Sequence, residues 1–212
     1  MLNKEKVLEQ LVNNIKACRK CRLCQNATNA VPGEGNINAK IVFIGEAPGE
    51  VEDKTGRPFV GRAGKLLENM LRKIGYSREE VWIGNIIKHR PPENRDPLPD
   101  EITACEPFLE MQLKAIGPVL IVTLGRFSMS YFYSEGKISR DHGTVIKAKQ
   151  YNVYPVYHPA AALRNPSMMQ EFTKDFERIP AILKKVESNN IIVENTNNLM
   201  DHNDDSQLGL GI

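Results

Sequence analysis

Long apolar runs are missing from this sequence, and their absence removes a whole class of protein. No stretch of the 212 residues is both long enough and uncharged enough to span a bilayer. The opening MLNKEKVLEQLVNNIKACRKC mixes charge into every turn, so it reads as neither a secretory leader nor an anchor, and an intracellular protein with no membrane contact is expected. A strong net charge is missing too. Lys and Arg number 28 against 26 Asp and Glu, a formal charge of +2. Bulk charge therefore neither announces nor excludes a nucleic-acid partner, because phosphate binding depends on where the cations sit. Cysteine is scarce, and three of the four crowd into residues 18–24, which is not the dispersed framework of a disulfide-stapled secreted domain. What is present, 41% hydrophobic and 25% charged residues, matches one soluble α/β domain with a single substantial core.

Periodicity gives the layout. Residues 2–16 form an amphipathic helix, with Val7, Leu8, Leu11, Val12 and Ile15 on one face, that runs into the cysteine-rich segment. Four short β-branched or aromatic runs, 40–45 (KIVFIG), 81–87 (VWIGNII), 119–124 (VLIVTL) and 153–157 (VYPVY), have the character of strands buried on both faces of a parallel sheet. Helical patterns at 63–74, 99–116, 126–133 and 169–186 alternate with them. In such folds the site lies beyond the carboxyl ends of the strands. The chemistry-bearing segments GEAPGE, KHRPPENR, LGRFS and HPAAALRNP each follow one strand, so all four are expected on one edge. From Glu187 the sequence turns rich in Asn and Asp and loses its period, so a folded domain over 1–186 and a disordered tail over 187–212 are expected.

Cys18, Cys21 and Cys24 have the spacing C-x2-C-x2-C, and Cys105 stands alone downstream. In a reducing compartment, thiols this close favour a metal or an iron–sulfur cluster over disulfides. A self-contained ferredoxin-type run would continue to a fourth cysteine followed by proline, whereas Gln25 and Asn26 follow Cys24. A remote ligand must complete the site. Cys105 is the first candidate, and His89 or Cys24 the other.

Three long blocks, GEAPGEVEDKTGRPFVGRAGKLL (45–67), NIIKHRPPENRDPLPDEITAC (85–105) and YHPAAALRNP (157–166), together with the Cys18–Cys21 pair and the Cys-Arg-Leu that ends it, resemble the family 4 iron–sulfur uracil-DNA glycosylases of thermophilic archaea and bacteria. The likeness covers residues 10–185. It implies a three-layer αβα domain around a four-stranded parallel sheet, a [4Fe-4S] cluster of structural role, and base-excision repair by hydrolysis of the bond between uracil and deoxyribose in DNA. Phe59 would stack on the flipped base, and Asn85 would read the adjacent carbonyl and N–H of the uracil edge. His158 would donate to the carbonyl beside the glycosidic nitrogen as charge grows there. Glu52 would crowd the 5-position and exclude thymine. Ala47 stands where the wider superfamily has a water-positioning Asp, so water falls to backbone groups and to Glu46. Leu163 would fill the hole left by the flipped base while Arg164 meets phosphate. Arg57, Arg62, Lys65, Arg90 and Arg95 would add a local basic face.

One departure concerns the cluster. The family carries a cysteine in Lys-Cys-Arg-Pro-Pro, and this sequence reads Lys88-His89-Arg90-Pro91-Pro92. Histidine can ligate cluster iron, so Cys18, Cys21, His89 and Cys105 are the favoured set, with Cys24 the alternative to His89. The X-type, uracil-crosslinking branch also has Lys-His here. Its first motif is Gly-Glu-Gln-Pro-Gly, however, and it carries a basic insertion that RPPENRDP lacks, so hydrolytic turnover is preferred. A pure electron carrier or a DNA-binding cluster protein would need no base pocket. Gly61-Arg62-Ala63-Gly64-Lys65 fails as a phosphate loop at Phe59 and Leu66. The terminal 206–212 segment is weakly similar to sliding-clamp peptides but lacks their aromatics. A clamp is therefore the secondary reading beside a plain polar tail, and a monomer is expected.

Overall fold

The computed structural model describes residues 3–200, with side chains through Ser188. Its helices are α1 (Lys4–Lys16), α2 (Glu50–Thr55), α3 (Arg62–Lys73), α4 (Pro99–Ile116), α5 (Arg126–Phe132), α6 (Ile138–Asp141), α7 (Pro159–Ala162) and α8 (Pro166–Met200). Its strands are β1 (Glu34–Gly35), β2 (Ile41–Gly45), β3 (Trp82–Asn85), β4 (Leu120–Leu124), β5 (Ile146–Ala148) and β6 (Tyr151–Val156). The sheet order is β1-β3-β2-β4-β6-β5.

The expected four parallel strands form the centre of that sheet, in the order β3-β2-β4-β6. The sheet is nonetheless six-stranded, because β1 pairs antiparallel with β3 and β5 antiparallel with β6. These edges are two and three residues long, too short for an alternating pattern to announce them. Strand alternation then builds two cores. Val42, Ile44, Trp82, Ile121 and Val153 face the layer of Leu8, Leu11 and Ile15 from α1 and Leu109 and Leu113 from α4. Ile41, Phe43, Ile83, Val122, Tyr154 and Val156 face Leu67 and Leu71 of α3 and Phe172, Phe176 and Ile179 of α8. The result is the three-layer αβα arrangement. No helix among the described residues is long and apolar enough to cross a membrane.

The carboxyl end of the molecule departs from expectation. Instead of ending near 186, α8 continues to Met200, and neither Gly nor Pro stands between 181 and 200 to stop it. Among the residues whose side chains are described, Val186 is the last packed into the core on the α3–α8 side. The 206–212 segment read as a clamp peptide lies outside the described residues.

Candidate active site

All four loops beyond the carboxyl ends of the parallel strands line one cavity of about 560 Å³. Glu46, Ala47, Gly49 and Glu52 come from the chain after β2, and Asn85, Pro91, Asn94 and Arg95 from the end of β3 and beyond. Gly125, Arg126 and Phe127 follow β4, and Tyr157, His158 and Arg164 follow β6. Phe59 reaches in from the turn before α3.

Asn85 ends β3 with only 1% of its surface exposed, and its Oδ1 has no hydrogen-bond partner. Leaving a buried polar atom unpaired costs about 1–3 kcal/mol, which makes this acceptor a position where a ligand N–H belongs. Gly45, at the end of β2, lets the amide and the Phe59 ring meet. A Cβ there would lie 2.5 Å from Asn85 Oδ1 and 2.5 Å from Phe59 Cζ. Across the pocket the Phe59 and His158 rings stand 5.9 Å apart, tilted by 36°.

His158 caps α7, its Nδ1 accepting from the Ala160 N–H at 3.1 Å. That bond assigns the tautomer: Nδ1 carries no proton, so Nε2 is the donor. Desolvation, with Arg164 adding, pushes the imidazole pKa down to about 4. The ring is therefore a neutral donor at ordinary pH. Glu46 behaves oppositely. Burial, and then Asp96, push its carboxyl up to about 7, while Arg126 pulls against them.

Ala47 lines the cavity but offers no polar side-chain atom, so Glu46 is the carboxylate of this loop that faces the pocket. Glu52 also lines it, yet its Oε1 is already engaged, accepting from Val60 N–H at 2.9 Å and Gly61 N–H at 2.8 Å. A bracing role for Glu52 was not legible in the sequence. Leu163, at the C-cap of α7, is one of the few exposed large apolar residues, 40% exposed, and Arg164 beside it faces the cavity. Part of the expected basic face is occupied within the protein. Arg57 pairs with Glu34, and Arg95 makes two bonds to the fully buried Glu101, at 2.6 and 2.8 Å. Both guanidiniums thus already hold a carboxylate of the fold.

The cysteine layer lies on the α1–α4 side of the sheet. Cys18, Cys21 and Cys105 all pack in that core, whereas Cys24, in the short turn 22–25, is not part of it. All four cysteines are free. One backbone N–H meets a sulfur directly, Lys20 N–H to Cys18 Sγ at 3.5 Å. Desolvation raises the Cys21 and Cys105 pKa values, so these thiols become anions only if something positive neutralises them. The donor set fits an electropositive cluster. His89 is 4% exposed and absent from the cavity lining, and burial followed by Arg19 lowers its pKa. Its neighbour Lys88, which sequence reasoning passed over, is fully buried. Its Nζ donates to the Asn85 carbonyl at 2.8 Å, and desolvation drops its pKa to about 8. One residue thus ties the cysteine layer to the strand end that presents Asn85.

The chain is similar to known proteins over most of its length. The Uracil DNA glycosylase superfamily (UDG) profile matches residues 32–184. A type-4 uracil-DNA glycosylase of Sulfurisphaera tokodaii is 50% identical over 182 residues, 81% of this chain and 83% of that protein. Those of Archaeoglobus fulgidus and Thermotoga maritima are 46% identical (84% and 94% covered) and 44% identical (87% and 99% covered). The chain is a member of the uracil-DNA glycosylase superfamily and, within it, of the type-4 branch.

Proposed function

We propose that the cavity excises uracil from DNA with the following division of labour. Uracil leaves the base stack and enters the cavity beside Phe59, where stacking on its ring contributes about 1–3 kcal/mol. Asn85 accepts from the uracil N3–H and donates to O4. The orphaned Asn85 Oδ1 is the observation that carries this reading. Glu46 orients the attacking water and takes its proton as the water oxygen bonds to C1′. The C1′–N1 bond breaks, its electron pair leaves with uracil, and His158 Nε2–H stabilises the charge that gathers on O2. Products are free uracil and an abasic site. Leu163 fills the vacated stack and Arg164 meets a flanking phosphate.

Glu52 acts on specificity at second hand, by fixing the loop whose Phe59 ring bounds the pocket. A [4Fe-4S] cluster would be held by Cys18, Cys21, His89 and Cys105, a set supported by the shared packing of the three cysteines and by the burial of His89. When bound, it supplies structural cross-linking of the 18–24 segment to α4 and to the segment after β3. His89 does not line the cavity, which argues against its acting as a nucleophile on the sugar.

The test is release of base from labelled oligonucleotides carrying uracil, thymine or cytosine at one position. Abasic sites are expected from uracil alone, and their absence with cluster-loaded protein contradicts the reading. Two further outcomes are expected. Because Glu46 must be ionised to take a proton, log(kcat/KM) should fall by about one per pH unit below its pKa of about 7. In Glu46→Gln that limb should flatten at a lower rate; a limb unchanged in the variant would remove Glu46 from the mechanism. For the cluster, iron content and the visible absorption of purified protein should survive Cys24→Ser and collapse in Cys105→Ser and His89→Ala. Loss in Cys24→Ser with retention in His89→Ala would exchange the two ligands.

A further inference from the structure

Phe59 has a φ of 51°, in the left-handed region that bulky side chains rarely occupy. Such a conformation costs of order 1–3 kcal/mol and persists only where the surroundings over-determine it. Here the polar groups of loop 58–61 are held from opposite sides. Glu52 accepts the Val60 and Gly61 N–H groups from one side. From the other, Arg78 Nη1 donates to the Phe59 carbonyl at 3.1 Å, and its second terminal nitrogen donates to the Pro58 carbonyl. The Arg78 Nε is in turn fixed on Glu34 Oε1 at 2.7 Å, in β1, and Arg57 steadies the same carboxylate at 2.9 Å. The Arg78 side chain is only 11% exposed, so these charge-assisted bonds are little screened. Gly64 completes the enclosure, since a Cβ there would lie 1.8 Å from the Phe59 carbonyl oxygen.

The outer flank of the loop is not packed solid. A second cavity of about 490 Å³ lies there, lined by Arg57, Phe59, Val60, Lys65 and Arg78 among others. Phe59 therefore borders space on both sides, and the guanidinium bridge is what stands between the loop and relaxation outward. Arg78 does not line the base cavity. Whatever it does for the reaction, it does through the loop.

We propose that Arg78, oriented by Glu34, is a positioning residue for uracil excision, holding the Pro58 and Phe59 carbonyls so that the Phe59 ring keeps its stacking plane over the base. This rests on the reading of Phe59 as the stacking face. It gives the two-residue edge strand β1 a purpose, as the anchor of the bridge rather than a mere edge of the sheet.

The test is a double-mutant cycle in the full-length, cluster-loaded protein, using Phe59→Ala, Arg78→Met and both together. It reads kcat/KM on a single-uracil duplex, inhibition by free uracil, affinity for undamaged duplex, and melting temperature. Arg78→Met should lower kcat/KM by about 10–100-fold, the scale produced by misplacing a group by roughly an ångström. The inhibition constant of uracil should rise in step, with binding to undamaged duplex unchanged. Added to Phe59→Ala, the same change should cost less than about threefold, because residues acting through one group are not additive. If Arg78→Met does not fold, Glu34→Gln removes the anchor and should give the same non-additive pattern at smaller size. A full Arg78 or Glu34 effect surviving in the Phe59→Ala background overturns the proposal, as does the absence of any effect when Phe59→Ala is itself impaired. A fully active Phe59→Ala would instead sink the stacking reading on which the proposal stands.

Discussion

Replacing His158 by Ala is expected to slow uracil release by about 10²–10³-fold in kcat, the cost of removing one donor aimed at developing charge, with little change in KM. The Ala160 N–H donates to Nδ1, so the ring presents Nε2–H without needing to choose a tautomer during the reaction. With its pKa pushed down to about 4, the imidazole is already neutral at the pH where the enzyme would work. It brings no full positive charge to the ground state and stays committed as a donor. Acidification from pH 7 to 5 should therefore leave the His158 contribution intact, and the pH dependence in that range should belong to Glu46. Single-turnover rates of the wild type and of His158→Ala across that range check both points. A His158→Ala defect that grew or vanished between pH 7 and 5 would mean that the ring titrates there.

The second large effect is expected at Asn85. In Asn85→Ala, uracil O4 and N3–H would enter the pocket with no partner. At about 1–3 kcal/mol for each of the two stranded groups and tenfold per 1.4 kcal/mol, kcat/KM should fall by about 30-fold to 10⁴-fold. The fold should not suffer, which separates this residue from an ordinary buried amide. Asn85 Oδ1 has no partner within the protein, so its removal strands nothing, and the melting temperature should hold or rise slightly. A large loss of stability with a modest loss of rate would recast Asn85 as a brace for the chain after β3, through which Lys88 already bonds its carbonyl.

Much of this was legible because the central strands carry strong signals. Buried runs such as IVFIG and LIVTL placed the four parallel strands, and the rule that sites lie at their carboxyl ends brought Glu46, Asn85 and His158 to one edge. Phe59 came from the family likeness, since a Phe in a Gly-rich turn is ambiguous alone. What stayed hidden depends on partners distant in sequence. Arg78 lies 19 residues from the Phe59 carbonyl it holds and 44 from Glu34, and an Arg in SREE reads as a solvated residue. Lys88 has no sequence signature of burial, and the raised pKa of Glu46 exists only once Asp96 and the cavity walls surround it. The short edges β1 and β5 and the one-turn α7 fall below the length at which periodicity speaks. At the far end, compositional polarity suggested a tail, while the lack of any helix breaker let α8 run on to Met200.

The most direct test of the central claim, that Asn85 reads the uracil edge beneath Phe59, is the ratio of single-turnover excision rates on uracil and cytosine for the wild type and Asn85→Asp. A carboxylate can still accept from N3–H but cannot donate to O4, while cytosine offers an amine at that position that an acid can accept. Uracil excision is expected to fall by about 10²-fold or more, and the preference for uracil over cytosine to shrink by a comparable factor. Wild-type uracil excision and an unchanged preference in Asn85→Asp would contradict that claim.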